Sequence, residues 1–273
     1  MTPKERLIIA LDVDAKEKAL SLVEKLKSEV KIFKIGSELF TSCGPDIVAA
    51  VKAKGCGIFL DLKFHDIPNT AAKSAAAAAR LGVFILNVHA LGGYGMMKRC
   101  AESVAMEAKI LKIAKPKMIA VTVLTSMDEN NLKKIGVNDN MGKQVLRLAK
   151  LAKDASLDGV VASPSEVKLI RKELGEEFII VTPGVRPEWA AANDPPALRL
   201  RSGPMVSIAE PSAGSGPILS LPKDDQKRVA TPKEAVLNGA TYIVVGRPIT
   251  EAKDPVEAVR RILKEIDPAS QAG

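Results

Sequence analysis

Hydrophobic residues are concentrated in eight short runs, nearly all separated by segments with the polar and apolar spacing of amphipathic helices. Strands of a parallel sheet are covered on both faces, so each reads as a continuous apolar run. Eight such runs alternating with helices are what a closed barrel requires. The sequence therefore predicts an α/β protein, a single (β/α)8 TIM barrel over residues 1–273. The predicted strands cover residues 7–12, 31–36, 58–63, 84–89, 118–122, 159–161, 179–182 and 242–247.

The seventh connection, which joins the seventh and eighth predicted strands, departs from this alternation of strands and helices. Between Arg186 and Gln226 the chain is rich in Pro, Gly, Ser and Ala, and neither a helical nor a strand period persists. We therefore predict no regular structure in this connection. Elsewhere the periodicity predicts helices at about residues 15–28, 45–54, 68–79, 93–109 and 255–266.

Charged residues recur where the first three predicted strands end. Asp12 ends the first, Lys34 lies inside the second, and Asp61 and Lys63 lie two residues apart in the third, so both would leave the same face of a strand. Active sites of such barrels form at the carboxyl ends of the strands. A snorkelling lysine and a surface ion pair are the plain alternatives. Alternating Lys and Asp on neighbouring strands favours a site instead, because each charge keeps its neighbours ionised.

Composition narrows the classes of function. The net charge of +8 suits an anionic substrate, although most lysines are dispersed along helices. Aromatic residues make up 3%, and no basic run is interleaved with stacking side chains, so we expect no nucleic-acid partner. No apolar stretch is long enough for a membrane span. The cysteines are odd in number and widely spaced, which predicts reduced thiols and a cytoplasmic protein. Two histidines do not make a His-rich metal site, so no metal is expected.

One uninterrupted stretch, Asp-Leu-Lys-Phe-His-Asp-Ile-Pro-Asn-Thr at residues 61–70, resembles the signature of orotidine 5'-phosphate decarboxylases of the bacterial short-chain type. The resemblance implies a catalytic array of alternating charge and a homodimer in which the partner subunit supplies the second aspartate. It also implies that Thr70 reaches into the neighbouring site. By motif position the catalytic array maps to Lys34, Asp61, Lys63 and Asp66.

Further motifs resemble the same family in the same order along the chain. The resemblance implies that Asp12 binds the ribose and that Thr125 and Ser126 contact the pyrimidine. It also implies that arginines after the seventh and eighth predicted strands bind the phosphate. The phosphate motifs are Pro-Gly-Val-Arg-Pro, Asp-Gln-Lys-Arg and Val-Gly-Arg-Pro-Ile-Thr. The implied substrate-binding residues are Asp12, Lys34, Ile67, Thr70, Thr125, Ser126, Arg186, Gln226, Gly246 and Arg247.

The activity implied by the resemblance is the conversion of orotidine 5'-monophosphate to UMP, the last step of de novo pyrimidine biosynthesis, without cofactor or metal. Loss of CO₂ leaves negative charge on a ring carbon with no adjacent carbonyl to take it up. A fixed ammonium would stabilise that carbon and deliver the proton, which is the role expected of Lys63. Asp61 would lie beside the departing carboxylate.

The seventh connection is where the chain departs from the family pattern. Reading directly from Asp194 to Gln226 reconstructs a typical short loop, so residues 195–225 are interpreted as an insertion of 31 residues. We expect it to be disordered, with a small hairpin between residues 205–208 and 218–221 as the alternative. An active enzyme with a raised KM is expected, because a longer loop adds only about 1 kcal/mol of closure entropy.

Two other functions stay open at this stage. One is a sugar-phosphate decarboxylase or aldolase on the same barrel, which would share the Asp-x-Lys-x-x-Asp strand end but need magnesium. The other is an inactive phosphate-binding barrel. Turnover of orotidine monophosphate in excess EDTA distinguishes both from the decarboxylase.

Overall fold

A computed structural model describes residues 1–191 and 228–267. The predicted insertion at 195–225 and the predicted phosphate ligand Gln226 lie outside these residues. The strands of the described part are β1 (Leu7–Ala10), β2 (Ile32–Gly36), β3 (Gly57–Phe64), β4 (Ile85–His89), β5 (Lys117–Val121), β6 (Gly159–Val161), β7 (Ile179–Thr182) and β8 (Tyr242–Val245).

The strands pair in chain order, all parallel, and β8 pairs with β1 to close a barrel. The register places Ile8 beside Ile32 and beside Val244, so the two strands flanking β1 are locked to it at the same level. The predicted (β/α)8 barrel is confirmed. Its strands agree with the apolar runs to within a few residues.

The helices around the barrel also follow the predicted order. The helices of the described part are α1 (Pro3–Arg6), α2 (Lys16–Leu26), α3 (Ser37–Cys43), α4 (Asp46–Lys52), α5 (Pro68–Arg80), α6 (Gly93–Leu111), α7 (Glu129–Lys134), α8 (Met141–Asp154), α9 (Val167–Leu174), α10 (Glu188–Ala191), α11 (Pro232–Leu237), α12 (Arg247–Thr250) and α13 (Pro255–Glu265). Long amphipathic helices pack their apolar side on the strands, and α5 packs closely on α6 through alanines that let the backbones approach.

Each strand divides its side chains between two buried layers. In β1, Ile8 and Ala10 point into the barrel, while Leu7 and Ile9 pack outward under the helices. This alternation explains why the strands read as unbroken apolar runs, because both faces exclude water. The barrel interior is therefore a packed core that closes one end of the molecule and leaves a site at the other.

The seventh connection is partly ordered at its start, contrary to the prediction. Helix α10 follows Pro187, and Trp189 packs against the core with the guanidinium of Arg261 4.5 Å from the centre of its ring. This tertiary contact stabilises a single helical turn that the local sequence does not predict. The two ends of the connection also meet, because Val185, after β7, forms a parallel bridge with Ala230, before α11.

Candidate active site

A cavity of about 480 Å³ lies at the carboxyl ends of the strands. Every strand except β4 contributes lining, either directly or through the loop that follows it. Its floor consists of the inward-pointing apolar side chains of the barrel, and its wall is polar. The predicted site residues that line it are Asp12, Lys34, Asp61, Lys63, Thr125, Ser126, Arg186, Gly246 and Arg247.

The charged residues predicted on the first three strands form one connected array. The ammonium of Lys34 lies 2.8 Å from Asp12 Oδ1 and 3.5 Å from Asp61 Oδ2. The ammonium of Lys63 donates to Asp61 Oδ1 at 2.7 Å. Asp61 and Lys34 are mostly buried, whereas 36% of the Lys63 side chain stays exposed. Lys63 is therefore anchored by Asp61 and still accessible from the cavity.

The array holds its charges ionised in spite of burial. Burial alone would raise the pKa of Asp61, but Lys34, Lys63 and a hydrogen-bonded amide outweigh it and lower that pKa below its ordinary value. Burial likewise opposes the charged form of Lys34, yet Asp61 and Asp12 raise its pKa. The result is a fixed arrangement of charge that needs no reorganisation when charge develops nearby.

The backbone at Lys63 departs from the regular strand that the sequence predicts. Its φ is 51°, in the left-handed region that non-glycine residues seldom occupy, and the pairing of β3 with β4 shifts register between Leu60 and Phe64. Asp61 and Lys63 do meet at the cavity. They reach it as alternate residues of β3, as the sequence predicts, and the irregular backbone at Lys63 is an addition to that pattern.

Asn87, on β4, is a site residue that the sequence analysis missed. Its side chain is completely buried, donates to Asp61 Oδ1 at 2.7 Å, and accepts from the backbone N–H of Lys63 at 2.8 Å. Only this orientation of the amide directs its NH₂ group at the Asp61 carboxylate and its oxygen at the Lys63 N–H, so that each donor meets an acceptor. A lone amide inside an otherwise apolar run was the signal available in the sequence.

Two arginines line the cavity from the loops after β7 and β8. Arg186 follows β7, where its backbone N–H donates to the Ala230 carbonyl at 2.9 Å, and Arg247 follows β8. Gly246 lets the β8 loop approach β1 closely, because a Cβ there would lie 3.3 Å from Asp12 Oδ2. The predicted phosphate end of the site is thus brought near the predicted ribose ligand.

Three predicted residues are not among those lining the cavity of their own chain. Asp66, Ile67 and Thr70 are exposed, beyond the end of β3 and around the start of α5. Asp66 Oδ1 accepts from the Ile67 N–H at 2.6 Å, and 68% of Ile67 is exposed. The structure therefore separates these residues from Lys34, Asp61 and Lys63 within one chain.

A second buried ion pair, also missed by the sequence analysis, lies behind the cavity. Arg228 Nη1 donates to Glu166 Oε1 at 2.6 Å, and Arg228 Nη2 donates to the carbonyl of Leu124 at 3.1 Å. This pair joins the turn after β6 to the loop after β5, which carries Thr125 and Ser126. Neither Glu166 nor Arg228 lines the cavity.

The described part of the chain contains neither a cluster of metal ligands nor a membrane-spanning helix. Within residues 1–191 and 228–267, no three or more His, Cys, Asp or Glu side chains are grouped to hold a metal ion. Over the same residues, no helix has both the length and the apolarity to cross a bilayer. Cys43, Cys56 and Cys100 are free thiols.

Comparison with known families gives one match across most of the chain. Residues 5–201 and 206–262 match the model of the orotidine 5'-phosphate decarboxylase / HUMPS family. The match includes the strands that carry Lys34, Asp61 and Lys63 as well as the loops that carry Arg186 and Arg247.

Individual relatives agree with the family match. A protein of Syntrophotalea carbinolica named orotidine 5'-phosphate decarboxylase is 44% identical over 270 residues, covering 99% of this chain and 98% of its own length. One of the same name from Saccharophagus degradans is 46% identical over 268 residues, covering 98% of each chain. The crystal structure of orotidine 5'-phosphate decarboxylase from Lactobacillus acidophilus superposes with a TM-score of 0.75 at 37% identity, covering 96% of this chain and 99% of that one.

Proposed function

The chain belongs to the orotidine 5'-phosphate decarboxylase / HUMPS family, and on that premise we propose that it is a carbon–carbon lyase that converts orotidine 5'-monophosphate to UMP and CO₂. The observation that carries this proposal is the array of Lys34, Asp61 and Lys63 in a cavity that two arginines, from the loops after β7 and β8, also line. The reaction needs both a cation beside the pyrimidine and residues that bind the phosphate at the other end of the substrate.

Lys63 is the residue that we propose acts on the reacting carbon. As the bond from C6 of the pyrimidine to the carboxylate breaks, its electron pair stays on C6 and CO₂ leaves. The Lys63 ammonium stabilises that charge and then donates one proton to C6, which yields UMP and a neutral amine that solvent reprotonates. Its partial exposure toward the cavity and its 2.7 Å contact with Asp61 support this role.

Asp61 and Lys34 support Lys63 in this proposal. Asp61 fixes the Lys63 ammonium and would lie beside the departing carboxylate. Lys34 keeps Asp61 ionised, and together with Asp12 it would bind the ribose hydroxyls, because both line the cavity and contact each other. Precise positioning of this kind is expected to supply much of the rate enhancement, since the charge is fixed before the reaction begins.

The remaining residues would bind the ends of the substrate. Thr125 and Ser126 are proposed for the pyrimidine, and Arg186 and Arg247 for the phosphate, because a guanidinium offers paired donors to phosphate oxygens. Gly246 would admit the phosphate close to the backbone. The loops after strands seven and eight are the common phosphate site of barrels of this type. Gln226 keeps its predicted role as a further phosphate ligand.

We further propose a cytoplasmic homodimer whose sites are shared, with Asp66, Ile67 and Thr70 entering the partner's cavity. Their exposure and their position outside their own cavity support this arrangement. Mixing Asp66→Asn chains with Lys63→Ala chains tests it, because random exchange makes about half of the dimers hybrid, with one intact site each. Activity should recover on mixing. If subunits exchange, as shown by pull-down with two tags, and no activity returns, the sites are not shared.

The assay that tests the proposed reaction is turnover of orotidine 5'-monophosphate by the purified chain in excess EDTA. We expect UMP formation at an undiminished rate, because the proposed steps use only protein side chains. Turnover that disappears with EDTA and returns with magnesium would favour the sugar-phosphate enzymes of this barrel. A folded chain that binds UMP without any turnover would indicate the inactive phosphate-binding barrel.

A further inference from the structure

Asn87 occupies an unusual position relative to the cavity. Strand β4 contributes no side chain to the lining, yet Asn87, completely buried on that strand, contacts both of the charged residues beside which decarboxylation is proposed. A fully buried amide is tolerated only when its donors and acceptor are satisfied. Here one of its donors meets the Asp61 carboxylate, and its acceptor meets the backbone N–H of Lys63 on β3.

The first contact orients the carboxylate of Asp61. Asp61 Oδ1 receives two donors at 2.7 Å, the Lys63 ammonium and the Asn87 amide, while Oδ2 faces Lys34 at 3.5 Å. A carboxylate held by one flexible lysine could rotate about its bond to Cβ. The amide of Asn87, fixed on a barrel strand, prevents this rotation without adding a further cation.

The second contact holds the backbone that carries Lys63. The left-handed φ of 51° is disfavoured for lysine, so the surrounding structure must stabilise it. The Lys63 N–H would be left unpaired in the bulge of β3, where the ladder to β4 is interrupted. Asn87 Oδ1 accepts from it at 2.8 Å. One side chain thereby sets both the residue that anchors the Lys63 ammonium and the backbone from which that ammonium projects.

We propose that Asn87 is a positioning residue for the decarboxylation, which orients Asp61 through its amide N–H and fixes the Lys63 backbone through its carbonyl. The inference rests on the proposed function, because it assigns Asn87 an effect on the rate of that reaction. Asparagine suits the position since a single planar group supplies a donor on one side and an acceptor on the other.

Two substitutions separate the two contacts. Asn87→Leu keeps the branched shape of the side chain and removes both contacts, so kcat for orotidine monophosphate should fall by about 100-fold, the effect of misplacing a catalytic group by about 1 Å. UMP affinity should stay within about threefold, because neither Asn87 nor any other β4 residue lines the cavity. Asn87→Asp keeps the acceptor for the Lys63 N–H and replaces the donor with a second carboxylate beside Asp61.

The pH profile of Asn87→Asp is the readout that a merely structural role would not produce. At high pH the introduced carboxylate repels Asp61, and kcat should be low. When that pair takes up one proton, the shared O–H restores a donor to Asp61, so kcat should rise as pH falls, relative to the parent. The other titratable groups nearby are Lys34, Lys63, His65 and His89. The parent enzyme carries the same groups, so its pH profile is the reference.

Gln144→Leu is the matched control, because Gln144 is a buried amide on α8, away from the cavity, and its loss should leave kcat unchanged. The proposal is overturned if Asn87→Leu stays within threefold of the parent kcat, or if kcat and UMP affinity fall in parallel in both Asn87 variants. If Asn87→Leu does not fold, Asn87→Asp provides the test. The proposal is overturned if that variant binds UMP and its kcat has the same pH dependence as that of the parent. Absence of turnover in the parent itself would instead contradict the proposed function.

Discussion

Two buried ionic clusters in this protein each centre on a carboxyl group whose charged form burial opposes, yet the pKa values of the two groups shift in opposite directions. Around Asp61, two ammonium groups and one amide surround the carboxylate, and its pKa falls below the ordinary value. Around Glu166, burial outweighs the single guanidinium of Arg228, and the pKa of that carboxyl rises. Both carboxyl groups are nearly inaccessible to solvent. The second cation and the amide beside Asp61 account for the opposite direction of its pKa shift.

The two clusters also differ in what remains available to a ligand. The Lys63 ammonium keeps part of its surface toward the cavity, whereas Arg228 directs its Nη groups to Glu166 and to the carbonyls of Val123 and Leu124. Among the described residues, Glu166 Oε2 and Arg228 Nε have no hydrogen-bond partner. The first cluster therefore presents charge to a substrate, and the second joins two loops behind it. The comparison predicts that changes in the first affect turnover and changes in the second affect stability.

The largest effect is expected for Lys63→Ala. Turnover should fall by at least about a thousandfold, because one group supplies both the electrostatic stabilisation and the proton. UMP affinity should change by less than tenfold, since the ammonium acts mainly on charge that develops in the transition state. Lys172→Ala, at an exposed position on α9, is the control and should leave turnover unchanged. A Lys63→Ala variant within tenfold of the parent would show that the assigned role is wrong.

A stability effect is expected for Arg228→Met. Leaving Glu166 buried without its cation should lower the free energy of unfolding by about 3–5 kcal/mol, measured by urea denaturation. Replacing both residues with methionine should destabilise less than Arg228→Met alone, because no buried charge remains. Lys150→Met is the matched control: its pair with Glu173 is at the surface and should contribute less than about 1 kcal/mol. Equal losses for Arg228→Met and Lys150→Met would contradict the distinction between the clusters.

The smallest effects concern the pH dependence of stability, and they should have opposite signs. Because the folded pKa of Asp61 is lowered, its contribution is present above its ordinary value of 3.8 and is lost as pH falls through the folded pKa. Because the folded pKa of Glu166 is raised, its contribution is present below 4.5 and is lost as pH rises through the folded pKa.

Asp61→Asn should therefore flatten the stability profile below about pH 4, and Glu166→Gln should flatten it above about pH 4.5. Chemical denaturation at closely spaced pH values measures both slopes, and the slope is informative even where the variants differ in absolute stability. If the two substitutions change the slope in the same pH range and with the same sign, the two carboxyl groups do not differ as described.

The sequence by itself determined the barrel and the positions of the main charges. Eight apolar runs separated by amphipathic segments specify the barrel locally, because the periodicity of each element is encoded in its own residues. Asp12, Lys34 and Asp61 follow from that order, since parallel strands end at one face. Residues 195–225 and Gln226, for which the sequence also makes predictions, lie outside the described part of the chain.

Only the tertiary structure decided how the charges are held. Asn87 meets Asp61 across 26 positions of sequence, and Arg228 meets Glu166 across 62, through barrel closure and not through any local pattern. The left-handed backbone at Lys63 could not be predicted from the sequence either, because lysine does not favour it and the contact with Asn87 on β4 stabilises it. Local periodicity specifies which elements form, whereas the pairing of buried polar groups depends on which distant strands become neighbours.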